Sequence, residues 1–139
     1  MIVLDTNVLS EMMRAEPDST VATWISARPA SSLFMTTVTQ AEILSGLRLL
    51  PSGKRRSGLE AAASKMFATD FVGRVLPFHQ AAAQAYAEIA GARRRAGRPI
   101  TQFDAQIAAI ARSRDAGLAT RNVADFEDCG VGVIDPWQA

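Results

Sequence analysis

The sequence predicts an α/β fold, a mainly parallel central sheet flanked by helices on both faces, and three observations carry that expectation. Helix and strand signals alternate along the chain, with no repeat and no low-complexity linker between them. The N-terminal run Ile2-Val3-Leu4 has no room for a helix turn and reads as a strand buried on both faces, as in the middle of a parallel sheet. With 139 residues, 48% hydrophobic and 21% charged, the chain is expected to form one compact domain, residues 1–139, with a real core.

The elements follow in order. The first strand ends abruptly in Asp5-Thr6-Asn7, a carboxylate, a hydroxyl and an amide. In open α/β sheets the carboxyl edge is where ligands bind, so the triplet reads as part of a site; Asp and Asn also start turns, and these residues alone leave both readings open. Val8 to Arg14 fits a short helix ending before Pro17, and Asp18 is placed to cap a second helix through about Ala27, stopped near Pro29. Leu33-Phe34-Met35-Thr36-Thr37 reads as the second strand. Gln40 to Leu50 follows as a helix ended by Pro51, and Leu59 to Phe71 is helical. A short strand around Arg74 to Phe78 contains Pro77, which suits an edge. His79 to Ala96 is a long Ala-rich helix and Gln102 to Arg114 another, with Gly117 as its C-terminal stop. Leu118-Ala119-Thr120 and Val131 to Ile134 complete the strands.

Composition removes several function classes. No apolar stretch approaches the roughly 18 residues that span a bilayer, and no basic segment precedes the first apolar run, so no membrane association and a cytoplasmic location are expected. Cys129 is the only cysteine, which excludes an intrachain disulfide and a thiolate metal cage and leaves a small buried apolar role. The net charge of +1 decides little, but Lys54-Arg55-Arg56 and Arg93-Arg94-Arg95 with Arg98 are local basic runs. They either touch phosphates or stay solvated and offset a helix macrodipole near its C-terminus.

Three helix starts bear on chemistry. Thr39-Gln40-Ala41-Glu42, Thr101-Gln102-Phe103-Asp104 and Asn122-Val123-Ala124-Asp125 each set a capping residue three positions before a carboxylate. Each resembles a capping box, in which an acid in the first turn is stabilised with no function required. Yet the starts at Glu42 and Asp125 directly follow strands, and the first strand ends in Asp5. If those strands are parallel neighbours the acids gather at one edge, where mutual repulsion calls for a cation or for raised pKa values. Mg²⁺ suits such a site because it takes oxygen ligands, keeps several waters and is held by one or two carboxylates together with substrate phosphate.

These segments together resemble a PIN-domain ribonuclease. The resemblance rests on the opening Ile-Val-Leu-Asp-Thr-Asn-Val-Leu-Ser-Glu, the start at Thr39 to Glu42, Asp104 followed by Ala105-Gln106-Ile107-Ala108-Ala109, and Ala119-Thr120-Arg121-Asn122-Val123-Ala124-Asp125-Phe126. Their order and spacing match over essentially the whole chain. Within that superfamily the chain is similar to the VapC toxins of type II toxin–antitoxin systems, and Asp135-Pro136-Trp137 resembles the FitB-like branch. The resemblance implies a PIN-like fold and an endoribonuclease dependent on Mg²⁺ or Mn²⁺. It implies Asp5 and Asp104 as core metal ligands, Glu42 as the third acid and Asp125 as the fourth. Asn122 stands where some relatives carry an acid; its amide can orient water or a cation but cannot act as a base. Thr6, Asn7 and Thr120 are expected to orient ligands and backbone. Arg121 either approaches a phosphate or is a solvated surface residue.

The implied chemistry is hydrolysis by water, leaving 5′-phosphate and 3′-hydroxyl ends. Cleavage through the ribose 2′-hydroxyl normally needs an acid–base pair such as two histidines, and His79, at a helix start that suits a cap or surface role, is alone. A haloacid-dehalogenase-like phosphatase would want an acid at Asn7, a receiver would need an acidic pair before its phosphorylated Asp, and a dinucleotide site lacks its Gly-rich turn. A PIN-fold binding or assembly module without nuclease activity is the non-enzymatic alternative. The partners implied are a VapB-like antitoxin, an RNA substrate, operator DNA only through the antitoxin, and a second copy in a homodimer.

Overall fold

The computed structural model describes Met1–Ala139 and places five strands in one sheet: β1 (Ile2–Leu4), β2 (Leu33–Thr36), β3 (Val75–Leu76), β4 (Gly117–Ala119) and β5 (Val133–Ile134). The order is β3-β2-β1-β4-β5, and every neighbouring pair is parallel. Six helices complete it: α1 (Thr6–Met12), α2 (Ser19–Ser26), α3 (Thr37–Arg48), α4 (Lys54–Lys65), α5 (Gln80–Arg95) and α6 (Gln102–Ser113). The N-terminal strand is central, with Ile2 opposite Leu33 on one side and Gly117 on the other. Because all strands run the same way, every carboxyl end opens on one edge.

Helices cover both faces, as expected. Successive strand residues point to opposite faces, so Val3 packs with Ile89, Ile107, Ile110 and Leu118 under α5 and α6. Leu4 packs on the other side with Leu9, Val21, Trp24, Met35 and Ile43. Ile107, Ala108, Ala109, Ile110 and Ala111 are all fully buried, so α6 is apolar on every side over that stretch. Its alanines let the neighbouring backbones approach.

Several boundaries differ from expectation, each for a local reason. The first helix begins at Thr6, not Val8, because the Asp5 carboxylate accepts the Thr6 amide at 2.8 Å and starts it directly off the strand. The third helix begins at Thr37, not Gln40: Thr36 Oγ1 accepts the Thr39 amide at 3.1 Å and is the cap. The fourth begins at Lys54, not Leu59, and passes into a π-helical turn over Met66–Asp70. Gly117 does not stop α6; Asp115 takes the left-handed conformation at φ 52°, and Gly117 opens β4. Asn122 offers no side-chain cap, since only a 3-10 turn, Val123–Phe126, follows it. Pro77 does follow the edge strand β3.

Candidate functional site

Asp5 sits where β1 gives way to α1, and its carboxylate is 5% exposed. Oδ1 accepts the Thr6 amide, while Oδ2 accepts the Thr120 hydroxyl at 2.7 Å and the Asn7 side-chain amide at 3.5 Å. Thr120, fully buried just past β4, in turn accepts from Asn7 Nδ2 at 3.3 Å and from the Asn122 amide at 3.1 Å. Asn7 Oδ1 accepts the Arg121 amide at 3.3 Å, which ties the loop after β4 to α1. The carboxylate is therefore clamped from two neighbouring strand ends.

Glu42 lies on α3, and its Oε1 accepts the Thr6 hydroxyl at 2.9 Å. The box expected between Thr39 and Glu42 does not form: Thr39 is inside the helix, and its hydroxyl meets that of Thr6 at 3.0 Å. The box at Thr101 does form on the amide side, where Thr101 Oγ1 accepts the Asp104 amide at 3.2 Å.

The acids feel one another. Burial pushes Asp5 up to about 6, against the lowering bonds from Thr120 and Thr6, and the Asp104 and Glu42 charges add to the rise. Burial also raises Glu42, with Thr6 opposing and Asp104 adding. Asp104 is raised by burial first and then by Asp125, with Thr101 and Arg93 opposing. Asp5, Glu42 and Asp104 thus form one electrostatic group, which the exposed Asp125 joins through Asp104. No three His, Cys, Asp or Glu side chains converge into a compact ligand cage.

A PIN domain matches this sequence over residues 2–130. The chain belongs to the PIN-domain family. It is 42% identical over 139 residues to the plasmid stability protein StbB of Pseudomonas syringae pv. tomato, covering 100% of both chains. It is 39% identical to the VapC ribonuclease Y4jK of Sinorhizobium fredii and 34% identical to Toxin FitB of Neisseria gonorrhoeae, each over 99% of both chains. The crystal structure of FitAcB from Neisseria gonorrhoeae matches with a TM-score of 0.93 over 100% of each chain at 34% identity.

Not every residue singled out in this PIN domain reaches the acids. The Arg121 guanidinium lies over the Trp137 ring, 5.0 Å from its centroid. His79 occupies the N-cap position of α5 without capping it, and its buried Nδ1 has no partner. Cys129 is buried as expected, its thiol pushed up by burial. Arg93 overturns the solvated reading of its basic run. It is 6% exposed; Nη1 donates to the carbonyls of Asp125 and Glu127, both at 3.0 Å, and Nε to that of Arg98 at 2.7 Å. Its signal in the sequence was position, since Ala82, Ala85, Ile89 and Arg93 share the buried face of α5. The other run, Lys54-Arg55-Arg56, sits at the N-terminal turn of α4, the end opposite to the one where cations offset the dipole.

Proposed function

We propose that this chain is a Mg²⁺-dependent endoribonuclease, with Mn²⁺ as the alternative ion, acting in the cytoplasm as the toxin of a type II toxin–antitoxin pair. The observation that carries the reading is Asp5: a carboxylate buried at a strand end, its proton affinity raised, facing the charges of Asp104 and Glu42. A fold gains nothing from keeping such a group ionised, whereas a cation does.

The donors fit a hard cation, being all oxygen. An open set also fits Mg²⁺, which takes one or two carboxylates and completes its shell with water and substrate phosphate. Asp5 and Asp104 would hold it, with Glu42 as third acid and Asp125 as fourth. When bound, the cation supplies charge neutralisation at the phosphodiester oxygens and acidifies water. The chain's own residues do the rest. Thr120, Asn7 and the Thr6 amide fix the Asp5 carboxylate. Thr6 Oγ1 aims Glu42, whose raised proton affinity suits holding the attacking water or taking its proton. Hydrolysis in line leaves 5′-phosphate and 3′-hydroxyl ends. Asn122 and Thr120 position the loop beneath.

Uncontrolled RNA cleavage would harm the host, so a VapB-like antitoxin is the expected partner, contacting operator DNA through its other end, with the toxin as a homodimer. An apolar groove of about 350 Å3, lined by Leu9, Met12, Met13, Ile25, Met66 and Phe71, suits an apolar antitoxin segment. An antitoxin Arg could pair with the acids in place of the cation.

The test is cleavage of a mixed RNA pool by the purified chain with Mg²⁺, with excess chelator, and by Asp5→Asn and Asp104→Asn. Cleavage is expected only for the unsubstituted chain with metal. No cleavage under any condition would favour the binding-module reading; full activity in chelator would sink the metal assignment.

A further inference from the structure

Three charged side chains are buried in this fold, Asp5, Glu11 and Arg93, and only one of them has a partner of opposite sign. Glu11 holds Arg14 at 3.1 Å, whereas neither Asp5 nor Arg93 takes part in any ion pair. Arg93 is the more unusual of the two, because a guanidinium cannot shed its charge to suit its surroundings. Its close acceptors are all neutral: the carbonyls of Arg98, Asp125 and Glu127 at 2.7, 3.0 and 3.0 Å, and the Cys129 sulfur at 3.7 Å. These contacts fix its orientation and leave its charge unbalanced. A buried cation without an anion is costly, so the fold is expected to supply one at longer range.

The anions nearby narrow the choice. Glu127 and Asp128, on the turn that wraps Arg93, are both taken by Arg98, the first at 3.0 Å. Glu88, on the same helix as Arg93, pairs with Arg112 at 2.7 Å. Asp125 and Asp104 are left. Asp125 gives Arg93 its carbonyl and keeps its own carboxylate out of any ion pair. Asp104 stands in the first turn of α6 and Arg93 in the last turn of α5, and the two helices pack on each other. The guanidinium charge opposes the rise in Asp104 that burial and Asp125 cause. Asp104 is thus coupled to both unpaired buried charges, to Asp5 by repulsion and to Arg93 by attraction.

We propose that Arg93 is a resident counter-cation of the acid group. Its fixed charge, held at the Asp125 turn by main-chain carbonyls, balances part of the charge of Asp104 and Asp125 when no metal is bound and opposes a divalent ion when one enters. Bonding to carbonyls is what suits it to the task, because a direct ion pair would occupy the carboxylate oxygens that a cation needs. Arg93 acts through Asp104 and is a positioning residue, not a catalytic one. The assignment rests on Asp104 and Asp125 as acids of the site proposed above, but its first test needs no metal.

That test is a double-mutant cycle of Arg93→Gln and Asp104→Asn, read from urea denaturation at neutral pH in excess chelator. Gln keeps an amide donor for the carbonyls and drops the charge. Asp104→Asn is expected to favour folding of the Arg93→Gln chain more than that of the parent, by at least about threefold in the unfolding equilibrium constant. In the second test, Mn²⁺ affinity is read from the electron paramagnetic resonance signal of the free ion. Arg93→Gln should bind Mn²⁺ several-fold more tightly than the parent, and Arg93→Lys, which keeps the charge, within about twofold of it. Equal effects of Asp104→Asn in both backgrounds would overturn the assignment and leave Arg93 as a tie for residues 123–129 alone. So would Mn²⁺ binding that Arg93→Gln leaves unchanged or weakens, or that Arg93→Lys alters as much as Arg93→Gln does. If Arg93→Gln does not fold, Arg93→Lys carries both tests: it should lower stability while the effect of Asp104→Asn and the Mn²⁺ affinity keep their parent values, and a departure of either counts against the assignment. A parent that binds no Mn²⁺ removes the metal reading, and the metal-free cycle still decides the role of Arg93.

Discussion

Asp5 serves two opposed demands, since its burial at the strand end gives it a fixed orientation and penalises its charge. The unfolded chain releases this proton near 3.8 and the folded chain near 6, so stability falls as pH rises through that window. The penalty is about 3 kcal/mol above it. The penalty already nets off the bond from Thr120; Asp5→Asn removes the charge but turns Oδ2 into an NH2 group that faces the Asn7 amide donor, and that mispairing offsets about 2 kcal/mol. The variant should therefore melt higher than the parent by about 1 kcal/mol at neutral pH without divalent metal, and equal to or below it near pH 4. Thermal melts across pH check this, and a parent more stable at neutral pH would contradict it. Asn122 and Asp125 separate in a second experiment. Asn122 makes no cap bond, so Asn122→Ala should leave stability unchanged, while Asp125→Asn should lower RNA cleavage most at limiting Mg²⁺ through its coupling to Asp104. Sequence spacing showed where the acids cluster but not what orients them. An interval of three fits a capping box equally at Thr39 and Thr101, yet the partner of Glu42 comes from Thr6 in another helix.

At the scale of elements, the strands and helices were legible because apolar periodicity is local, and their ends were not because caps depend on backbone direction. Two threonines, Thr36 and Thr37, read as β-branched strand residues, and only the bond from the Thr39 amide to Thr36 makes the second of them helical. Arg93 shows the same limit for side chains. Written in a string with Arg94 and Arg95, it differs only in facing inward, where it satisfies carbonyls of the turn that carries Asp125. Arg93→Ala would leave three carbonyls without this partner and is expected to cost about 3 kcal/mol, read from urea denaturation. Amides of residues 123–129 should exchange with solvent first, and an exchange pattern spread evenly over the chain would contradict that role.

For the whole molecule, the proposed toxin reading predicts that tightly controlled expression of the unsubstituted chain arrests growth, that Asp5→Asn does not, and that the antitoxin encoded beside it rescues. A soluble, intact and harmless parent would count against the toxin reading and leave the PIN fold standing. The strand order has a consequence in time. Ile2 to Leu4 form the middle of the sheet and pair with Gly117–Ala119, which are made much later in synthesis. Contacts of such sequence separation form late, after a long loop has been closed. Asp5 therefore meets Asp104 and the clamp from Thr120 only when the chain as far as Thr120 is available. A chain that stops short of Thr120 cannot assemble the four acids, and on the toxin reading that delay gives an antitoxin made at the same time an interval in which to arrive.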